Sequence, residues 1–172
     1  MRRSTAAVGS ILWFAIAAGL GAVWMPWLIT GWKVEYTSTI GRVAQAIGVA
    51  LIVVGLAPAV RTFVEFARAG GTPVPGAFTE RLVVTGFNGY VRNPIYLGTL
   101  VIIVGEALLL GQLSLLVYAA VVWLIAAAFV RRYEEPTLAS RFGADYEAYR
   151  RAVPAWRPRL HPWSPGDEDN VR

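Results

Sequence analysis

Four stretches of the chain, residues 8–30, 43–60, 95–110 and 115–130, hold one charged side chain between them, Glu106. A helix crosses hydrocarbon in roughly 20 apolar residues, and a backbone inside a bilayer must satisfy its own hydrogen bonds, which a helix does. The pattern therefore predicts an all-α integral membrane protein with about four transmembrane helices. The composition agrees: of 172 residues, 56% are hydrophobic and 16% charged, and the mean hydropathy of +0.50 is high for a water-soluble domain. Residues 1–153 read as a single membrane domain and 154–172 as a proline-rich tail. The chain has no cysteine, which excludes disulfides, thiolate metal sites and a cysteine nucleophile. Its one histidine, His161, excludes a multi-histidine metal centre, so no metal is expected. Arg2 and Arg3 precede the first apolar stretch as in a signal peptide, but no clear small-residue cleavage site follows, and a retained anchor is expected.

Trp24 and Trp27 fall near the far end of the first stretch, where amphipathic rings favour a membrane interface. Gly48 and Gly55 in the second stretch allow close helix contact. Pro58 is expected to kink that helix near its end, and Arg61, Glu65 and Arg68 mark its exit from the membrane. Residues 69–78, with two prolines and three glycines, read as a loop. Gly111 to Ser114 is a short polar break, so the third and fourth spans form a tight hairpin in preference to one long helix. Further on, Leu138, Phe142, Tyr146 and Tyr149 lie on one face of an amphipathic helix within the charged segment 131–153. The tail carries Pro154, Pro158, Pro162 and Pro165, and is expected to be extended and, past about residue 164, disordered.

Four spans put both termini on one side. Fourteen of the sixteen lysines and arginines then fall there, against Lys33 and Arg42 on the other. Positive charge stays inside. This orients the termini, the loop before residue 95 and the charged segment toward the cytoplasm, most simply at a bacterial-type inner membrane. It also assigns the net charge of +5 to membrane flanks, with lipids rather than nucleic acid as partners.

Two polar clusters meet on that side. One is Arg92-Asn93-Pro94-Ile95-Tyr96, the close of a polar stretch at 79–98 in which Gly86 and Gly89 permit unusual backbone shapes and Pro94 suits the first turn of a new helix. Such a loop leaves free N–H groups at the helix start, where a polar ligand can dock, although a plain connector between spans has the same spacing. The other cluster is Arg131-Arg132-Tyr133-Glu134-Glu135. Arg131 and Glu135 share a helix face, which supports either a headgroup-level ion pair or a site offering one guanidinium and one carboxylate to a ligand.

These residues carry a resemblance. Leu82-Val83, Gly86, Arg92-Asn93-Pro94-Ile95-Tyr96-Leu97-Gly98, Glu134-Glu135, Phe142-Gly143, Tyr146, Tyr149 and Val153-Pro154, in this order and spacing, resemble the isoprenylcysteine carboxyl methyltransferase family, which is related to the membrane phospholipid N-methyltransferases. The resemblance covers roughly residues 70–158, about half of the chain. It implies an integral membrane enzyme that uses S-adenosyl-L-methionine to methylate a lipophilic acceptor. It further implies that Glu80, Arg81, Leu82, Val83, Asn88, Asn93, Pro94, Ile95 and Tyr96 line the cofactor, that Glu135 holds its hydroxyl or amine groups, and that Arg131 faces the acceptor. Glu134 is the nearest base if the acceptor is an amine. Asn93 stands where the family usually has histidine, so it can exchange hydrogen bonds but cannot carry a proton near neutral pH. Asn88 replaces a usual tyrosine.

Two rivals remain at this level. A sterol-reductase-like membrane oxidoreductase would prefer a phosphorylated dinucleotide. A membrane scaffold or transporter subunit would bind no cofactor and tolerate Glu135→Ala. Glu106, an acid at membrane depth, is a functional candidate by default, with Gln45 or Arg42 as structural partners or protonation as the alternative. Tyr118 and Trp123 read as packing or lipid contacts, with a role in lining an acceptor cavity as the alternative. His161 reads as a surface residue.

Overall fold

The computed structural model describes residues 19–36, 38–68 and 82–164. Within them all regular structure is helical. Helix α1 runs Leu20–Thr30, α2 Thr39–Arg68, α3 Pro94–Leu110, α4 Ser114–Phe129, α5 Glu135–Phe142 and α6 Ala144–Ala152. A short 3₁₀ turn, Gly86–Gly89, precedes α3, and a π turn, Val130–Glu134, joins α4 to α5. Thr39–Pro58 and Ser114–Phe142 are long and apolar enough to cross a membrane, whereas Leu20–Thr30 and Pro94–Leu110 are shorter apolar helices. Only 17% of the first segment's apolar window and 22% of the second's is buried inside the protein. Val53, Val54, Val117, Leu124 and Ile125 are all more than half exposed. Side chains of this kind facing outward along whole helices suit a lipid surface, not water.

The largest helix contact is between α2 and α3, which pack through paired glycines. A Cβ on Gly48 would lie 2.6 Å from the Gly105 carbonyl oxygen, and one on Gly98 would lie 2.5 Å from that of Gly55. Both contacts are reciprocal, with Gly105 against Gly48 at 2.7 Å and Gly55 against Gly98 at 2.7 Å. The seven-residue spacing on each helix returns the glycine to the same face after two turns, so two antiparallel backbones touch along a seam without side chains between them. The α3–α4 hairpin turns at Gly111, whose φ of 75° closes α3. There Ile103, Ala107, Leu110, Leu115 and Ala119 form a buried cluster.

Helix α1 begins in a π turn, Leu20–Trp24, whose closing bond runs from the Met25 N–H to the Leu20 carbonyl. Pro26 has no N–H to offer the next carbonyl, that of Gly21. The Tyr118 hydroxyl donates to it instead at 2.7 Å, tying α1 to α4. Pro58 lies inside α2, which continues to Arg68. Arg42 donates to Thr39 Oγ1, and Glu106 Oε2 has no partner among the described residues, so neither Gln45 nor Arg42, the structural partners weighed for Glu106, bonds to that atom. The stretch expected to be one amphipathic helix at 131–153 is divided: Gly143, with φ 53° and ψ −122°, breaks it into α5 and α6. Tyr146 and Tyr149 are buried, with Leu138 and Phe142 packed against them, so the apolar face predicted for the segment survives the break.

From Pro154 to Ser164 the tail has no helix or strand. The expectation of disorder beyond residue 164 lies outside the described residues, as do residues 8–18 of the first expected span.

Candidate active site

The entrance to α3 is held by the tail. Pro94 opens the helix and Asn93 precedes it with φ −120° and ψ 57°, outside the helical region, which a following proline disfavours. The Asn93 side chain does not cap the helix. Its Nδ2 donates to the Ala155 carbonyl at 3.1 Å. The backbone continues the clasp: Arg92 N–H donates to Pro154 O, Arg159 N–H to Tyr90 O and Trp163 N–H to Gly89 O, at 2.9 to 3.0 Å. The prolines suit this strap because they fix extended backbone and have no N–H to leave unpaired.

Under the clasp lies an apolar layer of Val84, Tyr146, Tyr149, Val153 and Trp163, with Leu82 and Phe142 packed against it. The Tyr149 hydroxyl donates to the Asn88 carbonyl at 2.7 Å. Burial pushes this hydroxyl above the ordinary tyrosine range, outweighing the opposing pull of Arg92, so it remains a donor.

Beside the clasp is a polar cluster drawn from the loop, α3, the π turn, the first residue of α5, and α6. Arg92 Nη1 is 2.7 Å from Glu135 Oε1 and donates to the Tyr146 hydroxyl at 3.2 Å. The side chains of Arg92 and Glu135 are 13% and 19% exposed, so the pair is partly withdrawn from water and its attraction is less screened than that of a surface pair. Tyr96 Oη donates to Glu134 Oε2 at 3.5 Å. The Tyr96 ring lies 6.3 Å from that of Trp156, which meets Trp123 of α4 edge-on at 6.4 Å. The π turn holds Glu134 and Glu135 as neighbours where α4 leaves its apolar segment.

On the other side of the α3 start, a groove of about 690 Å³ opens between α2, α3, the loop and the tail. Gly55, Pro58, Leu97, Val101, Phe87 and Trp163 line it, and its walls are mainly apolar. Its volume falls in the range of small-molecule sites.

The residues singled out in the sequence distribute as follows. Tyr96, Glu134 and Glu135 come together in the polar cluster. Asn88 and Asn93 are buried within the clasp, Pro94 borders the groove, Leu82 packs on the apolar layer, and Val83 and Ile95 are half-buried. Glu80 and Arg81 lie outside the described residues. Arg131 is exposed, and Glu135 pairs with Arg92 rather than with Arg131 as its helix spacing suggested. A partly desolvated carboxylate gains more from a guanidinium that is desolvated with it than from one in open solvent. Arg92 and Tyr146, which the sequence motifs contain without being assigned to the cofactor or the acceptor, join the cluster, and Trp156, which was not singled out, packs beside it. Arg92 sits in the same motif as Asn93 and Tyr96, which was the available signal. Nothing in the local pattern marks Trp156, which reaches the site only through the fold of the tail.

Comparison with known proteins bears on this arrangement. Over 80 residues the chain is 38% identical to a protein named Protein-S-isoprenylcysteine O-methyltransferase from Schizosaccharomyces pombe, a match covering 46% of this chain and 34% of that relative. The chain thus spans about a third of the length of that relative. No solved structure matches the chain. The family model described as phospholipid methyltransferase matches residues 43–145, which run from α2 through the loop and the polar cluster into the start of α6. With more than half of its length inside that match, the chain belongs to the phospholipid methyltransferase family.

Proposed function

We propose that the chain is an S-adenosyl-L-methionine-dependent methyltransferase of the membrane, acting on a lipophilic acceptor, isoprenylcysteine-carboxylate-like or phospholipid-like, at the polar end of the helical bundle. The observation that carries this reading is the cluster of Arg92, Glu135 and Tyr146, together with two buried donors that have no hydrogen-bond partner among the described residues, Arg92 Nε in the cluster and Asn88 Nδ2 in the clasp. Buried polar atoms are nearly always paired. Two orphan donors, one of them on the guanidinium that pairs with a carboxylate, therefore fit a ligand that brings both acceptors and hydroxyl or amine donors, as the polar parts of S-adenosyl-L-methionine do. When bound, that cofactor supplies a sulfonium methyl already activated for transfer.

The protein's task is then position more than acid–base chemistry. Glu135 accepts from the cofactor's hydroxyl or amine groups. Asn88 and Arg92 donate to its acceptors, and Asn93, Pro94 and Ile95 hold the loop against it through the clasp. The residues 80–83 flank the same region by resemblance. Tyr96 and Glu134 meet the reacting end, and Arg131 keeps the acceptor-facing role that the resemblance gives it. The tail excludes water from above, which strengthens each of these interactions. Four spans with both termini and this cluster in the cytoplasm, at an inner-type membrane, agree with the bias of positive charge.

Calorimetric titration of detergent-purified protein with S-adenosylhomocysteine tests the reading. Micromolar binding that Glu135→Ala weakens tenfold or more, about 1.4 kcal/mol, is the expected result. A folded wild-type protein that binds none would overturn it. Because the chain lacks cysteine, single cysteines placed at Lys33 and Arg141 give a clean test of topology. A membrane-impermeant thiol reagent added to intact cells should label the first and not the second.

A further inference from the structure

Resting on the methyltransferase reading, we infer that the tail, residues 154–163, is a latch that must lift from the loop for the cofactor to enter and leave. The first observation is one of access. Arg92 Nε and Asn88 Nδ2, the donors offered to the cofactor, are buried. Buried donors meet a ligand from solution only when part of their cover moves. The tail runs past both, antiparallel to the loop: Pro154 O lies on the Arg92 N–H, Arg159 N–H on Tyr90 O and Trp163 N–H on Gly89 O, the neighbour of Asn88. It has no helix or strand of its own. A segment of this kind can open locally at a fraction of the cost of unfolding the bundle.

The second observation is a seat and a hinge. A Cβ on Gly89 would lie 3.1 Å from Trp163 O and 3.2 Å from Pro162 Cβ, so the far end of the tail settles where a side chain is missing. The near end starts from Val153, which caps α6 and is fully buried. Between these points the tail roofs the groove, which Pro158, Pro162 and Trp163 line. Part of its underside therefore faces open space, and lifting it gives up less packing than moving a core element. The third observation links the far end to the cluster. The Trp163 ring lies 5.7 Å from that of Tyr149, which lies 6.3 Å from that of Tyr146. Tyr149 donates to Asn88 O, and Tyr146 accepts from Arg92. Withdrawal of Trp163 bares this row of rings. The prolines keep the released tail extended, so little chain entropy is lost when it seats again. Closed, the latch keeps water from the cofactor.

The absence of cysteine allows the latch to be locked. Gly89→Cys with Pro162→Cys sets two Cβ atoms 3.2 Å apart, just short of the usual disulfide range of about 3.5 to 4.5 Å. The full chain in detergent is loaded with labelled S-adenosylhomocysteine and then oxidised. It should release the ligand at least tenfold more slowly than the same protein after reduction, and protein oxidised before loading should take the ligand up at least tenfold more slowly. Trp163→Leu, which removes the far ring, should speed release at least threefold, with melting temperatures verifying that each variant is folded. Hydrogen exchange of the wild-type protein needs neither variant nor cofactor: the Arg159 and Trp163 amides should exchange together, at least a hundredfold faster than those of Ile103 and Ala107 within α3. Equal ligand rates in the oxidised and reduced protein, or tail amides that exchange as slowly as those of α3, would overturn the inference. Folded wild-type protein that binds no S-adenosylhomocysteine would sink the methyltransferase reading, and the exchange pattern alone then decides whether the tail lifts.

Discussion

The seam between α2 and α3 and the clasp between loop and tail are held in opposite ways. At the seam, Gly48 and Gly55 meet Gly105 and Gly98 with no side chain between the backbones. At the clasp, three backbone bonds and the Asn93 amide tie residues 89–93 to 154–163, above a layer of buried tyrosine and tryptophan. The seam is closed to change because any added atom collides with a carbonyl. The clasp is a set of individually modest bonds, each worth about 1 kcal/mol net, and near it lie buried donors that have no hydrogen-bond partner among the described residues. The difference separates a rigid apolar platform from a polar end that can trade partners, which is what a site at a membrane surface requires.

The largest expected effect breaks the seam. Gly105→Leu forces side-chain atoms against Gly48 and Ile52 and should cost about 3 kcal/mol, at the upper end of overpacking penalties. Thermal unfolding in detergent reads it, and ligand binding should fall only in step with folding. Arg92→Met sharpens the contrast from the other side. It leaves Glu135 without its charged partner, for which a loss of about 2 kcal/mol is expected, and it should weaken S-adenosylhomocysteine binding tenfold even in the fraction that remains folded. Tyr149→Phe removes the donor to Asn88 O and should cost about 1 kcal/mol.

The same tyrosine gives the clasp a pH signature. Burial holds its hydroxyl protonated, so the folded value is raised above that of the unfolded chain. Its contribution should be constant up to about pH 10, the ordinary tyrosine value. Above that the unfolded chain releases a proton that the fold retains, and stability falls. Melting curves between pH 7 and 11 check this, and Tyr149→Phe should flatten part of the alkaline fall. The smallest effect is expected away from both seam and clasp, at the tie between α1 and α4. Tyr118→Phe frees the Gly21 carbonyl, at a cost of about 0.5 to 1 kcal/mol with no change in ligand binding.

What could be read in the sequence follows the same division. The apolar helices, the turn at Gly111 and the packing role of Gly48 and Gly55 follow from uncharged runs and from residue size, which are local properties. Gly98 and Gly105 repeat the same seven-residue interval, so the partner face was present in the chain, but only the antiparallel packing of α2 and α3 pairs it. The apolar face of Leu138, Phe142, Tyr146 and Tyr149 was legible, whereas the break at Gly143 was not, since a glycine within a periodic pattern signals only lowered helix propensity. The cluster at the π turn was legible as a place. Its pairing was not: the choice of Arg92 over Arg131 as partner to Glu135 depends on which guanidinium is desolvated beside it, a tertiary property. The tail shows this most plainly. Its prolines read as an extended tail with no stated partner, yet the carbonyls of Pro154 and Ala155 and the amides of Arg159 and Trp163 bind the loop, and Trp156 lies against the ring of Tyr96.

The most direct measurement is methyl transfer itself. The purified chain, reconstituted in lipid nanodiscs, is incubated with methyl-labelled S-adenosyl-L-methionine and an extract of membrane lipids. The expected result is label in the organic phase, reduced at least tenfold by Glu135→Ala. Folded wild-type protein that neither transfers label nor binds S-adenosylhomocysteine would contradict the assignment of this polar cluster as a methyltransferase site.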